Sequence, residues 1–448
     1  MKWNIVCRVG KNDNYFPENI DKKKTLIIPL MGNESSDKIL EYNTYNIFNK
    51  LFNDMGCFPE NEAIDLLNAS FAVYTADKLI LRKLSYDNWT RHLSVSLPVI
   101  NIELWKNAKE TLEEMLSFLS GDKWEFNFRE RRKTDIEKVN KCLFEETVNN
   151  VSLFSGGLDS FIGVSDLLEK NQGKIALVSH YGTGGDASIA QKQVLNALET
   201  EYSKDRIVPF GFYVQPIKLN SKDKSEDSTR SRSFLFLAHG IAVANAFNKN
   251  TSLYIPENGL ISLNIPLTYS RRGSLSTRTT HPYYLLKLEE LLGKLNLTNS
   301  IINPYSFYTK GQMIINAQNQ DLIKKSIHDT MSCSHPSAGR FKKNSPHEHC
   351  GYCVPCIIRR ASMYRAGLDD YKKYRIDVLT NPPSESKKSG RDYRAFLMAI
   401  ERRKIDSNLN FFNILRSGPI MKDHQKYINV YENGMEEVEN FLRSNNSE

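Results

Sequence analysis

One stretch constrains this chain more than any other: Val151-Ser152-Leu153-Phe154-Ser155-Gly156-Gly157-Leu158-Asp159-Ser160. Val151 to Phe154 reads as a short buried strand. From Asp159 to Leu168, the apolar residues Phe161, Ile162, Val164, Leu167 and Leu168 have the spacing of a helix packed on a sheet. The Gly-Gly turn between them lets the backbone reverse sharply and expose its N–H groups. Those donors, with the positive end of the following helix, favour a bound anion. Ser155 and Ser160 add hydroxyl donors. An isolated Gly-Gly turn is usually structural, but the full Ser-Gly-Gly-x-Asp-Ser string between a strand and a helix reads as a phosphate cradle.

Downstream, strand and helix signals alternate, which predicts a doubly wound parallel sheet with crossover helices. Ile175 to His180 is the second strand and runs into Tyr181-Gly182-Thr183-Gly184-Gly185-Asp186, before a helix from Ala187 to Tyr202. Ile207 to Leu219 is extended, Asn220 to Arg230 is a polar loop, Ser233 to Asn248 is a buried helix and Ser252 to Pro256 is a strand. Ligands of such sheets sit beyond the carboxyl ends of the strands. That places Ser155 to Ser160, His180 to Asp186 and Glu257 onward around one cleft.

At 448 residues the chain calls for two or three domains. Residues 1–145 read as an α+β accessory domain suited to a protein partner. Its strands are expected at Trp3 to Val9, Thr25 to Leu30, His92 to Ile102 and Lys123 to Phe128. Helices are expected at Asn46 to Met55, Glu62 to Leu67 and Leu104 to Leu119, and Phe71 to Leu84 is rich in β-formers. The run Arg129-Glu130-Arg131-Arg132-Lys133 reads as a solvated linker before a helix from Asp135 to Val148. Residues 146–375 form the expected nucleotide-binding domain. Residues 390–448 form a helical extension, with helices at Tyr393 to Arg403, Asn408 to Arg416, and His424 to Leu442 broken near Asn433-Gly434.

The formal charge of +8 suits a nucleotide or an acidic partner and does not argue for nucleic acid. The longest apolar run, Ser233 to Phe247, falls short of the roughly 18 residues a membrane helix needs. With no signal-like start, a cytoplasmic address and no membrane association are expected.

Of seven cysteines, Cys7, Cys57 and Cys142 are scattered and read as small buried hydrophobes. Cys333, Cys350, Cys353 and Cys356 cluster. The two-residue gaps between the last three let their sulfurs converge from one turn, and four thiolates close a tetrahedral zinc site of structural type. His335, His347 and His349 are possible substitutes for a sulfur, but the four cysteines are preferred.

With these residues in place, the chain resembles the 7-cyano-7-deazaguanine synthase (QueC) family of N-type ATP pyrophosphatases, of PP-loop, adenine nucleotide alpha hydrolase-like fold, from about Val151 to Gly367. Four features carry the resemblance: the loop Ser155 to Ser160; Tyr181-Gly182; Arg232 opening the helix Ser233-Phe234-Leu235-Phe236-Leu237-Ala238; and Ser332-Cys333 with Cys350-Gly351-Tyr352-Cys353-Val354-Pro355-Cys356 and Arg359. The resemblance implies ATP, Mg²⁺ and Zn²⁺ as cofactors. ATP phosphates would lie along Ser155, Gly156, Gly157 and Ser160, with Tyr181 and Gly182 near the nucleotide. Asp159 would organise Mg²⁺, and Arg232 and Lys310 would offset phosphate charge.

Where that family reads its deazapurine through a Tyr-Pro-Asp-Cys-Arg segment, this chain follows Glu257-Asn258-Gly259 with Tyr269-Ser270-Arg271-Arg272-Gly273-Ser274-Leu275-Ser276-Thr277-Arg278-Thr279-Thr280-His281-Pro282. Arginines bind carboxylates and phosphates in bidentate fashion, so this segment reads as an anion clamp. Asn258, Arg271, Arg272, Arg278 and His281 are the substrate-side candidates. The departure resembles the QueC-like components (QatC) of the Qat anti-phage defence systems. That likeness implies partner proteins and transfer of an adenylated 7-deazaguanine carboxylate to a partner's N-terminus. The alternatives are a nitrile-forming 7-cyano-7-deazaguanine synthase of queuosine-type biosynthesis, another PP-loop activity such as tRNA thiolation or amidotransfer, and a non-catalytic nucleotide- or deazapurine-sensing subunit.

Overall fold

A computed structural model describes residues 2–31, 40–42, 44–138, 148–181, 186–217, 225–227, 230–268, 278–336, 348–384, 386–405 and 410–444. The N-terminal part contains β1 (Lys2–Val9), β2 (Thr25–Leu30), β3 (Leu40–Tyr42), α1 (Thr44–Met55), α2 (Asn61–Leu79), β4 (His92–Val99), α3 (Ile102–Ser120) and β5 (Lys123–Glu130). Four of these strands form a sheet in the order β2-β1-β4-β5, and every pairing in it is parallel. The expected α+β domain is therefore corrected to a parallel α/β one. The main reason is α2. Phe71 to Leu79 continues a single helix whose residues from Ala63 to Asp77 are all buried. Phe71, Val73 and Tyr74 look strand-like in isolation, yet they pack against neighbours on every side of a helix. Tertiary burial outweighs their local preference.

The charged run Arg129 to Lys133 is corrected in part, since Arg129 and Glu130 end β5 while Arg132 and Lys133 are exposed. Arg131 is buried and pairs with Asp65 at 2.7 Å and with Glu137 at 2.8 Å, so this stretch fastens α2 to the sheet instead of linking domains. The helix expected from Asp135 to Val148 begins as a 3₁₀ turn, Asp135–Lys138. Residues 139–147 lie outside the described residues, and Val148 already belongs to the next strand.

The second sheet is built from β6 (Val148–Leu153), β7 (Lys174–His180), β8 (Ile207–Phe212), β10 (Ser252–Tyr254) and β11 (Ile301–Ile302). Its order is β11-β10-β6-β7-β8 and all its pairings are parallel. The chain starts at the centre, winds outward through β7 and β8, then returns to the other side of β6. This is a doubly wound topology with its switch point between β6 and β10. Strand β9 (Val214–Pro216) pairs antiparallel with β3 and stitches the two parts together.

Helices α4 (Leu158–Lys170) and α5 (Asp186–Tyr202) share a core with α9 (Lys310–Asn316) and α10 (Gln320–Ser326). Helices α6 (Arg232–Phe247) and α8 (Pro282–Lys294) join a larger core that also holds Ile5, Val95 and Phe126 of the first sheet, Phe71 of α2, and Val151 and Val178 of the second sheet. The two sheets thus share one hydrophobic interior. A third core unites α7 (Gly259–Leu263), α11 (Val354–Arg365), α12 (Arg391–Ile405), α13 (Asn410–Leu415) and α14 (His424–Arg443). Helix α14 runs unbroken through Asn433-Gly434, correcting the expected break. A Cβ at Gly434 would stand 2.7 Å from Leu260, so the glycine admits α7 rather than ending the helix. No described helix is long and apolar enough to cross a membrane.

Candidate nucleotide site and cysteine cluster

Strand β6 delivers Ser155, Gly156 and Gly157 to the start of α4 at the centre of the second sheet. Gly156 has φ +76°, and a Cβ there would meet Gln191 Cγ at 2.7 Å and its backbone at 2.8 Å, so only glycine fits. Ser155 Oγ accepts from Gly157 N at 3.2 Å and stands 3.2 Å from Ser160 Oγ, which itself donates to Gly157 O at 2.9 Å. Gly157 caps α4 without a side chain, leaving the helix start to other donors and acceptors. One comes from far along the chain: Leu158 N donates to Ser332 Oγ at 3.4 Å, while Met331 N donates to Gly156 O at 3.0 Å.

Asp159 and Glu257 meet at the switch point between β6 and β10. Asp159 Oδ2 accepts from Asn258 N at 3.1 Å and from Asn258 Nδ2 at 2.6 Å, and its Oδ1 pairs with Lys310 Nζ at 2.6 Å. Burial pushes the Asp159 carboxyl up, but Lys310, the hydrogen bond with Glu257 and the Asn258 amide together hold it below the usual aspartate range. Glu257 moves the other way. Burial, then the charge and hydrogen bond of Asp159, raise it well above the usual glutamate range, so of the two carboxyls it is the one that holds a proton more readily. Both Asp159 oxygens are engaged by protein groups, so its carboxylate orients Lys310 and Asn258 within this arrangement.

Lys310 opens α9, whose cap Thr309 forms a capping box with Gln312. Glu437 of α14 accepts from the Thr309 hydroxyl, from Gly311 N at 3.3 Å and from Arg365 Nη1 at 2.6 Å. The C-terminal helix thereby holds the turn that presents Lys310.

On the other side of the loop, Gln191 Nε2 donates to Ser155 O and to His180 O, each at 3.2 Å. His180 Nδ1 faces Arg232 Nη2 at 3.2 Å, and the Arg232 guanidinium lies 5.2 Å from the Phe236 ring centroid. Burial, and then the Arg232 charge, lower the His180 pKa to about 4, so the ring is neutral and accepts from the guanidinium at pH 7. Arg232 itself is solvent-exposed. Its helix start is anchored from α2, because Asp77 accepts from Ser231 N at 3.1 Å and from its hydroxyl at 2.7 Å. Tyr181 lines a cavity of about 430 Å³ together with Phe154, Leu177, Gln191, Leu195 and Gly211. A Cβ at Gly211 would come within 3.0 Å of the Tyr181 ring, so that glycine makes room for it. Gly182 lies outside the described residues.

The described substrate-side candidates, Asn258, Arg278 and His281, each make contacts within the protein. Asn258 is fully buried and caps α7, its Oδ1 accepting from Ile261 N at 3.0 Å. Arg278 Nη1 donates to Phe118 O at 2.7 Å, and its guanidinium lies over the Phe118 ring at 4.3 Å. His281 caps α8, accepting from Tyr283 N at 3.2 Å, with Nε2 3.1 Å from Ser417 Oγ. Arg278 and His281 thus make contacts at the junction of α3, α8 and the C-terminal helices. Arg271 and Arg272 lie outside the described residues.

Cys333, Cys350, Cys353 and Cys356 place their sulfurs within 4.8 Å of one another, the only such group of metal-ligating side chains among the described residues. Two of the separations, Cys350–Cys356 and Cys333–Cys353, are 3.8 and 4.0 Å. Four sulfurs about 2.3 Å from a tetrahedral zinc lie roughly 3.8 Å apart, so the cluster fits that ion. Gly351 has φ +85°, and a Cβ there would be 2.0 Å from Ile376 O, which fixes the tight turn between Cys350 and Cys353. His349 Nε2 accepts from Ser332 N at 3.2 Å and stays outside the sulfur group, and His347 lies outside the described residues. Buried Arg359 donates to Thr330 Oγ1 and to Ile327 O, each at 2.7 Å. It pins the segment that carries Met331 and Ser332 onto the glycine loop.

Sequence reasoning did not assign roles to Gln191, Ser332 or Glu437, or the more readily held proton to Glu257. Glu257 carried a usable signal, an acid at the carboxyl end of a strand beside the switch point. Glu437, in a charged tail helix, carried none. No protein family, curated protein or solved structure matches this chain.

Proposed function

We propose that the chain is a QueC-like, ATP-dependent ligase that forms AMP and pyrophosphate. In this reading a 7-deazaguanine carboxylate attacks the α-phosphorus of ATP, the bond to the pyrophosphate oxygen breaks, and an acyl-adenylate results. An amine then attacks the acyl carbon and AMP leaves. The acceptor we favour is the N-terminal amine of a partner protein, on the strength of the arginine-rich departure at Tyr269 to Pro282.

The observation that carries the reading is the placement of the Ser155–Ser160 loop at the carboxyl end of the central strand, with the buried Lys310–Asp159 pair at the adjacent switch point. Ligands of doubly wound sheets bind there. The cavity beside Tyr181 is of a size and apolar character suited to a purine ring. Positioning and fixed positive charge would do most of the catalysis, since no described side chain is placed as a covalent nucleophile. Lys310, connected to the loop through Asp159, and Arg232, connected through His180 and Gln191, would supply that charge. Mg²⁺ bound to the triphosphate would neutralise the leaving pyrophosphate. Zinc in the cysteine cluster would hold Met331 and Ser332 against the loop.

Product analysis tests the proposal. Protein incubated with ATP, 7-carboxy-7-deazaguanine and a co-expressed partner should yield AMP and pyrophosphate and add one deazapurine unit to the partner's intact mass. ADP and phosphate as the products would contradict adenylation, and an unchanged partner beside free nitrile would move the activity to nitrile synthesis.

A further inference from the structure

The N-terminal sheet has the topology of a ligand-binding sheet in its own right. Its order β2-β1-β4-β5 reverses direction between β1 and β4, so it has a second switch point, far in sequence from the Ser155 loop. Beyond the carboxyl ends of β1, β2 and β5 lies a cavity of about 750 Å³, with Val9 to Asp13, Met31, Arg129 to Ile136 and Lys138 on its walls. That volume lies within the range of small-molecule sites.

The walls carry six basic and three acidic side chains. Three of the cations are fixed: Arg129 by Asp13, Arg131 by Asp65 and Glu137, and Lys138 by Asp135 at 2.9 Å. Arg132 and Lys133 are exposed and have no carboxylate partner among the described residues. Asn12 and the Thr134 backbone and hydroxyl bring further polar groups, although Thr134 already donates twice to Glu137 at 2.7 Å. Val9, Met31 and Ile136 supply apolar wall. Gly10 turns the chain out of β1 at φ +83° and Met31 leaves β2 at φ +26°, so the rim rests on two unusual backbone positions tied by the bond from Gly10 N to Met31 O at 3.0 Å.

A basic rim, polar donors and a short apolar wall at a parallel-sheet switch point form a site for an anion attached to a small organic body. We propose that this cavity is a second ligand site, for a small phosphate-bearing molecule of nucleotide size.

Equilibrium dialysis of the full chain against labelled ATP tests this without relying on the Ser155 loop. Ser155→Glu places a negative charge in the loop cradle and should leave one bound equivalent. Adding Arg132→Glu and Lys133→Glu, both exposed, should remove it. A Ser155→Glu protein that binds no ATP, or a residual equivalent unaffected by the two charge reversals, overturns the second site. A wild-type equivalent that is lost with the charge reversals but indifferent to Ser155→Glu would uphold the second site and sink the loop reading instead.

Discussion

Lys310 Nζ and Asp159 Oδ1 form a 2.6 Å ion pair with side chains 6% and 8% exposed, joining the first turn of α9 to the first turn of α4. Removing one partner strands a buried charge, whereas removing both does not. Lys310→Met and Asp159→Asn should each lower unfolding free energy by about 3 kcal/mol or more, and the double variant should lose clearly less than the two losses combined. Urea titration of the four proteins measures the coupling. Additive losses would show that the pair does not interact in solution.

Glu257 sets a pH dependence of the opposite sign from an ordinary ion-paired carboxylate. Its folded pKa is raised, by burial first and then by Asp159, so its protonated form is the one the fold favours. The associated stability is complete below the unfolded glutamate value of about 4.3 and is lost as pH rises from there toward the folded value. Glu257→Gln cannot lose that proton. Its stability relative to wild type should therefore improve steadily with pH above about 4.3, read by thermal unfolding across a pH series. A difference that stays flat with pH would remove that proton.

His180 works in the other direction. Its pKa is lowered from 6.5 to about 4, by burial and then by Arg232, so stability is present above 6.5 and is lost as pH falls through about 4. The loss attributable to this one ring should be about 1–3 kcal/mol. His180→Gln keeps an acceptor for Arg232 without a titrating ring, and it should flatten the acid limb by that amount. An unchanged acid limb would place the His180 ring in solvent.

The cysteine cluster should bring one zinc per chain, measured by atomic emission, and Cys353→Ser should lower both zinc content and solubility. Because Met331 and Ser332 contact the glycine loop, chelation should also raise hydrogen exchange at Leu158 and Met331. Well-folded wild-type protein without zinc would contradict the assignment.

The parts of this fold that were legible in the sequence are those set by local chemistry. The Ser155–Ser160 turn and the four cysteines announce themselves because glycine conformation and thiolate spacing act over a few residues. The parallel second sheet was legible because its strands and helices alternate. What escaped depends on distant partners. Phe71 to Asp77 is helical because it is buried against neighbours on all sides, and Arg131 is structural because Asp65 and Glu137 come to it from elsewhere. The same logic hid Glu437 and drew Arg278 and His281 to Phe118 and Ser417.

ATP–pyrophosphate exchange tests the central claim most directly. Wild-type protein given ATP, Mg²⁺ and 7-carboxy-7-deazaguanine should return labelled pyrophosphate to ATP, only when the deazaguanine acid is present, and Asp159→Ala should abolish the exchange at a temperature where circular dichroism shows the destabilised variant still folded. Tight nucleotide binding with no exchange would contradict the enzyme reading and leave a nucleotide-sensing subunit in its place.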